Sequence, residues 1–105
     1  MSERRAVART TAASSTTYSQ IDQWKENFFD DLVDDNISGR IVVNEGNMWL
    51  ELEGDWTTLK AHLHSIDQDP IWNTLTIETA DPITSRLFSY LWAYHEKETP
   101  LSNQP

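Results

Sequence analysis

Glu51 and Glu53 stand two residues apart in a run whose aliphatic residues take every second position. Because strand side chains alternate between two faces, this spacing predicts both carboxylates on one face of a sheet. Such a pair could serve as a general acid and a general base. Nothing nearby in the sequence indicates tuning of their acidity, and strand glutamates more commonly face solvent. We therefore predict no catalytic residue and expect that the protein is not an enzyme.

The remaining side chains offer no other reactive site. His62 and His64 are two apart on a predicted helix, so they point to different sides and cannot share a metal ion. The chain has no cysteine, which excludes disulfides, thiolate metal sites and a cysteine nucleophile. The sequence also lacks a glycine-rich phosphate loop and a serine nucleophile elbow. We predict no metal site.

A cluster of aspartates ends the first predicted helix. Acidic side chains at a helix C-terminus oppose the macrodipole at a cost of about a few tenths of a kcal/mol each. Those four residues apart also repel one another. Local stability therefore does not explain the cluster. A solvated helix end is the first interpretation, and contact with a basic partner is the second.

Trp49 is out of phase with the aliphatic residues around it, so we predict that it lies on the sheet face away from the helices. Val42 should share that face. An aromatic side chain on an uncovered sheet face indicates either a covering segment or a partner. The predicted protein-interaction residues are Trp49, Val42, Glu51, Asp30, Asp31, Asp34, Asp35 and Trp92.

Length and charge limit the functions that remain. The chain has 105 residues and a formal net charge of −9, which fits one domain and argues against binding nucleic acid. No apolar run approaches membrane-spanning length. We expect a cytoplasmic protein without membrane insertion. Its partner would be another protein, with a basic one compatible with the charge, or a further copy of the chain.

We divide the chain into three parts. Residues 1–17 are rich in Arg, Thr, Ser and Ala, a composition shared by transit peptides and by disordered segments. We predict a flexible segment there, with a weak first strand near residues 5–10. The domain proper would span residues 18–95, and residues 96–105 would form a disordered tail.

Periodicity predicts the order of the elements. A helix over residues 18–35 has an apolar stripe at spacings of three and four, with Ser19 and Asp22 as its cap. A hairpin over residues 39–54 leads into a helix over residues 55–68, which Asp55 caps. A strand follows at residues 72–79, ended by Asp81 and Pro82, and residues 87–94 form either the last strand or a short ordered segment. This order, β-α-β-β-α-β-β, predicts an α+β ferredoxin-like sandwich.

Residues 34–94 resemble the BLUF family, the blue-light sensors that use flavin. The matching segments are residues 36–39, residues 45–54 with their Leu-Glu-Gly ending, the Ile-x-x-Asp-Pro of residues 66–70, and the Asp-Pro-Ile-x-x-Arg-x-Phe of residues 81–88. The resemblance implies a ferredoxin-like fold, in agreement with the element order.

The chain departs from the family where flavin would bind. The family's photochemistry needs a Tyr on the first strand and a Gln on the third. Here Leu50 stands at the Gln position, and Ala6 or Val7 stands at the Tyr position. A buried leucine contributes about 1.5–3 kcal/mol but makes no hydrogen bond. The comparison implies loss of the flavin, and we predict no cofactor.

Family members also carry further helices over the outer sheet face, whereas a short polar segment follows Tyr94. We therefore predict an uncovered face and a non-enzymatic, protein-binding accessory or regulatory subunit with a BLUF-like fold that has lost flavin binding. The first alternative is a sensor that holds flavin or another small ligand in an altered cleft. A small ferredoxin-like enzyme is the least favoured reading.

Overall fold

The computed structural model describes residues 2–95 and forms a five-stranded sheet with two helices. The elements are β1 Glu3–Thr11, α1 Tyr18–Asp34, β2 Ser38–Asn44, β3 Asn47–Asp55, α2 Trp56–Gln68, β4 Thr76–Ile83 and β5 Leu91–His95. The strand order is β4-β1-β3-β2-β5, antiparallel except for β2 with β5. The predicted α+β ferredoxin-like fold is confirmed. The predicted tail, residues 96–105, lies outside the described residues.

One apolar core joins the helices to a single face of the sheet. β3 contributes Met48, Leu50 and Leu52, which are all buried. α1 adds Ile21, Phe28 and Leu32, and α2 adds Leu59, Leu63 and Ile66. The helical spacings of three and four and the strand period of two therefore meet in the same cluster, as the sequence predicts. No helix in residues 2–95 is long and apolar enough to cross a membrane.

β1 is an interior strand rather than a peripheral one. It pairs with β3 along one edge and with β4 along the other, so the strand predicted near residues 5–10 is present, is longer than predicted and lies inside the sheet. Ala6 and Ala8 are buried against the core, while Arg5 and Arg9 alternate with them. The strand has few apolar residues of its own. Its stabilisation therefore comes mostly from pairing and packing with neighbours that are distant in the chain.

The helix caps confirm one prediction and correct another. The Asp55 side chain accepts a hydrogen bond from the Thr58 amide at the start of α2, as predicted. α1 is capped by Thr17 rather than by Ser19. The Thr17 hydroxyl accepts from the Gln20 amide, and the Gln20 side chain accepts from the Thr17 amide. Satisfying both backbone donors makes this capping box the better start for the helix.

The last two strands begin later than predicted. Trp72 forms only an isolated bridge with Ala12, and β4 runs from residue 76 through Pro82 to residue 83. The prediction that Asp81 and Pro82 end the strand was wrong, because β4 lies at the sheet edge, where a missing N–H is tolerated. β5 begins at residue 91 rather than at residue 87.

Candidate functional site

The sheet face opposite the core carries a patch of aromatic side chains. The strand registers place Trp49 beside Val42 and Val42 beside Tyr94, in one row across β3, β2 and β5. Trp92 lies in the next row, beside Arg40. Trp92 and Tyr94 remain 41% and 50% exposed. We call this face, with these five residues and Glu51, the outer face.

Charged side chains on the outer face are paired. The Arg40 guanidinium carbon lies 4.6 Å from the centre of the Trp49 ring, and Arg40 Nε lies 3.3 Å from Glu51 Oε1. Arg40 therefore covers part of Trp49 and neutralises Glu51 at the same time. Both Trp49 and Glu51 are only half-buried. The result is an amphipathic surface in which aromatic rings lie between charges of both signs.

Glu53 differs from Glu51, although both lie on this side of β3. Its side chain is completely buried. Its Oε2 accepts from Arg5, with Nε at 2.9 Å and Nη2 at 2.8 Å, and from the Leu87 amide at 3.0 Å. Its Oε1 accepts from the Phe88 amide at 2.9 Å. The prediction that this carboxylate faces solvent was therefore wrong, because residues 84–90 pass over it on their way from β4 to β5.

A second ion pair holds the same segment. Arg86 donates from Nε and Nη2 to the two carboxylate oxygens of Glu3, at 2.8 and 2.6 Å, and from Nη1 to the Asn36 carbonyl at 2.8 Å. The hydrogen bond from Arg86 lowers the pKa of the Glu3 carboxyl, against a smaller opposing effect of desolvation. The same bond raises the pKa of Arg86. Together, Glu53 and Glu3 fix residues 84–90 against the sheet.

The predicted aspartates lie elsewhere. Asp30, Asp31 and Asp34 are exposed at the C-terminal end of α1, away from the outer face. Asp35 caps that helix, and its Oδ2 lies 2.7 Å from His62 Nε2 of α2. The structure thus separates the eight predicted interaction residues into an outer-face group and an α1 group. Within residues 2–95, no cluster of three acidic or histidine side chains has the geometry of a metal site.

Solved structures of known proteins share this architecture. A bacterial light-regulated adenylyl cyclase superposes with a TM-score of 0.79 at 18% identity, over 89% of this chain and 28% of that one. BlrB, a BLUF protein in its dark state, superposes with a TM-score of 0.79 at 17% identity, over 90% of this chain and 72% of that one. The fold is BLUF-like. For Klebsiella pneumoniae BlrP1 with FMN and cyclic diGMP, the TM-score is 0.78 at 16% identity, over 90% of this chain.

The chain spans only 28% and 25% of the lengths of the cyclase and BlrP1 structures. No protein-family model matches the sequence, and no curated protein does either. At these identities, the likeness is one of fold.

In this BLUF-like fold, aromatic rings lie between the two helices. Trp24 stacks on Phe28 with centroids 4.7 Å apart and meets the edge of Trp72 at 5.1 Å. Phe28 in turn meets the edge of His62 on α2 at 5.9 Å. Trp72 is buried, and its indole Nε1 has no hydrogen-bond partner among the described residues.

The helix-facing side of β1 and β3, which we call the strand floor, is apolar where Ala6, Ala8 and Leu50 lie. Leu50 is completely buried, and Ala8 of β1 lies directly across from it. Ala6 shares this face, whereas Val7 points to the outer face by strand alternation. The nearest buried hydroxyl on β1 is that of Thr10, which donates to the Asn73 carbonyl at 2.8 Å.

Sequence reasoning missed two outer-face residues, Arg40 and Tyr94. The sequence could have predicted the position of Arg40, because it alternates in phase with Val42 on β2 and faces Glu51 across the hairpin. Tyr94 depends on the parallel pairing of β5 with β2. That pairing joins segments separated in the chain by β3, α2 and β4, so no local pattern predicts it.

Proposed function

We propose that this chain is a non-enzymatic, protein-binding accessory or regulatory subunit with a BLUF-like fold that does not hold a flavin. One observation carries the proposal: Leu50, Ala8 and Ala6 are neighbouring buried residues on the helix-facing side of β3 and β1. The resemblance calls for a phenol and an amide near a flavin ring, and these three side chains neither donate nor accept a hydrogen bond.

The packing between the helices supports the same conclusion. The ring contacts of Trp24, Phe28 and Trp72 occupy space beside the strand floor. Inserting a planar ligand there would require these rings to separate, with loss of ring–ring contacts worth about 0.5–1.5 kcal/mol each. The residues present therefore do not fit a flavin held through the family's two polar contacts.

The outer face supplies the surface for a protein partner. Trp92 and Tyr94 are exposed side by side, and Tyr and Trp are enriched at the energetic centres of interfaces. Trp49 and Val42 extend the patch across two more strands. The arginines and glutamates that flank these rings would provide a polar rim.

The first experiment measures flavin retention. The purified protein is incubated with excess flavin mononucleotide, desalted and examined by visible absorption spectroscopy. We expect no flavin band. A band of near-stoichiometric intensity would overturn the proposal and give the sensor function the lead.

The second experiment tests the role of Trp49 in association. We expect Trp49→Ala to weaken binding to a protein partner or to a second copy by tenfold or more while leaving the far-ultraviolet circular dichroism spectrum unchanged. Val33→Ala is the matched control, because Val33 is an exposed apolar residue on α1, 51% accessible. Loss of folding in Trp49→Ala would show that this tryptophan is core and would remove it from the interface.

A second candidate function is a sensor that binds flavin or another small ligand in an altered cleft. It is favoured by the likeness to a structure described as holding FMN. The buried Trp72 Nε1 also offers one hydrogen-bond donor without a partner in the described part of the chain. The absorption experiment decides between the protein-binding subunit and a sensor that binds flavin. A titration with non-flavin ligands, followed by tryptophan fluorescence, tests for a sensor that binds another small molecule.

A further inference from the structure

The outer face extends across all the strands of the sheet. The register of β1 with β3 places Arg9 beside Trp49, and the register of β1 with β4 places Thr76 beside Arg9. One row of side chains therefore runs from β4 to β5 in the order Thr76, Arg9, Trp49, Val42 and Tyr94. Because β3 is the middle strand, Trp49 lies at the centre of this row.

The two halves of the outer face have opposite shapes. On the β5 side, the rings of Trp92 and Tyr94 stand exposed. On the β4 side there is a hollow of about 350 Å³. Its lining includes outer-face residues of β1, β3 and β4, namely Arg9, Thr11, Asn47, Trp49 and Thr76. A cavity of about 150 Å³ can hold a benzene molecule, so this hollow has room for an aromatic side chain.

Charges around the centre of the outer face are balanced, although the chain has a net charge of −9. Arg9 pairs with Glu78, and Arg40 pairs with Glu51. The exposed aspartates of α1 lie in the helix layer, away from this surface. A balanced surface gives a strongly basic partner nothing to attract it, and the same surface of a second copy meets it without an excess of like charge.

We propose that the partner of the outer face is a second copy of this chain, packed face to face about a two-fold axis that runs along β3. Such an axis places β5 of each copy over β4 and β1 of the other. Tyr94 of each copy then enters the hollow of the other, with its ring beside Trp49 and its hydroxyl near the polar side chains of Thr11 and Asn47. The contact is isologous, so it forms twice. This inference rests on the proposed protein-binding function and names the partner.

The area of the outer face is enough for a reversible dimer. Strands lie about 4.8 Å apart and rise about 3.4 Å per residue, so five strands over about six residues cover roughly 500 Å². Two copies would bury roughly 1,000 Å² in total, which is the lower limit for a specific interface. We therefore expect a dimer that dissociates on dilution.

Sedimentation equilibrium of the full chain tests the proposal. We expect a mass that rises with protein concentration from that of one chain towards that of two. Sodium chloride should strengthen the association, because screening reduces the repulsion between two chains of net charge −9. The mass of a single chain at every concentration would overturn the proposal and leave the outer face to a different protein. Association that weakens with salt would also overturn it, because attraction between oppositely charged surfaces would then hold the copies together.

Two variants break the contact from its two sides. Tyr94→Glu places a carboxylate in the hollow, and Thr76→Trp fills the hollow. Both positions are exposed, so the circular dichroism spectrum should not change. Each variant should weaken association at least tenfold. Val33→Glu is the matched control on α1, because it makes the same charge change at a residue that is 51% exposed, against 50% for Tyr94. It should leave association within twofold, and an equal loss in Val33→Glu and Tyr94→Glu would contradict the proposed contact.

A mixture of the two variants tests the two-fold arrangement. In a mixed dimer, Tyr94 of the Thr76→Trp chain still meets the unchanged hollow of the Tyr94→Glu chain. One of the two contacts is then intact, so the mixture should associate more tightly than either variant alone. A mixture no tighter than the single variants would overturn the packing of Tyr94 into the hollow. None of these outcomes produces a flavin band, so failure of this inference is distinguishable from failure of the proposed function.

Discussion

The two faces of the sheet bury side chains in different ways, and β3 supplies both. Leu50 and Glu53 are each completely inaccessible to solvent. Leu50 is buried by aliphatic packing under the helices, which is non-directional and depends on volume. Glu53 is buried under residues 84–90, where hydrogen bonds from Arg5, Leu87 and Phe88 satisfy its carboxylate. The helix-facing side therefore tolerates changes of side-chain shape poorly, whereas the side that carries Glu53 tolerates changes of charge poorly.

The largest effect is expected for Glu53→Ala, which leaves Arg5 without its buried partner and two backbone amides without an acceptor. Each buried amide left without an acceptor costs about 1–3 kcal/mol, and Arg5, which is 25% exposed, adds less than a fully buried charge would, so the total is roughly 3–5 kcal/mol. We expect a loss of that size in the free energy of unfolding, measured by urea denaturation. Glu51→Ala is the matched control on the same strand and face. Its partly exposed pair with Arg40 should be worth about 0.2–1 kcal/mol. Equal losses in the two variants would refute the distinction.

The helix-facing side is tested by Leu50→Gln. This change removes apolar burial and places an amide among Leu52, Ala8 and the helices, at a total cost of roughly 2–5 kcal/mol. Leu50→Met, which nearly conserves volume, should cost under about 1.5 kcal/mol. Both are measured by urea denaturation. If the glutamine variant is as stable as the methionine variant, water reaches this position and the cleft is open, which would favour the small-ligand sensor.

Local periodicity was enough to predict the helix-facing side. The alternation of β3 placed Met48, Leu50 and Leu52 in the core, and the helix stripes placed their packing partners. It also put Trp49 and Val42 together on the outer face. A period of two assigns residues to faces, and a period of 3.6 assigns them to one side of a helix, so both need only neighbouring residues.

The outer face was harder to predict because its contacts are non-local. Glu53 has the same phase as Glu51, and only the passage of residues 84–90 over the sheet distinguishes the two. That passage follows from the strand order, in which β4 and β5 lie at opposite edges. β1 was underestimated for a similar reason: Arg5 and Arg9 give it a polar pattern, although pairing on both edges makes it interior.

The smallest expected effect concerns the Glu3–Arg86 pair, which holds the segment over Glu53. Because the pKa of Glu3 is lowered in the folded protein, the pair stabilises the fold fully above the unfolded-state pKa of about 4.3. That stabilisation is lost as pH falls through the lower, folded-state pKa. Arg86→Gln should therefore reduce the free energy of unfolding by up to about 1 kcal/mol at neutral pH, since the pair is partly exposed.

The difference between Arg86→Gln and the unchanged protein should shrink on acidification below pH 4.5, measured by urea denaturation across that range. Glu3→Gln is the control, because without the titrating carboxyl the effect of Arg86→Gln should no longer vary with pH in this window. A difference that grows as the pH falls would have the wrong sign for a carboxyl of lowered pKa. Residues 84–90 would then depend on Arg86 through its bonds to Asn36 and Ser38 alone, and Glu53 would be the one carboxylate that holds the segment to the outer face.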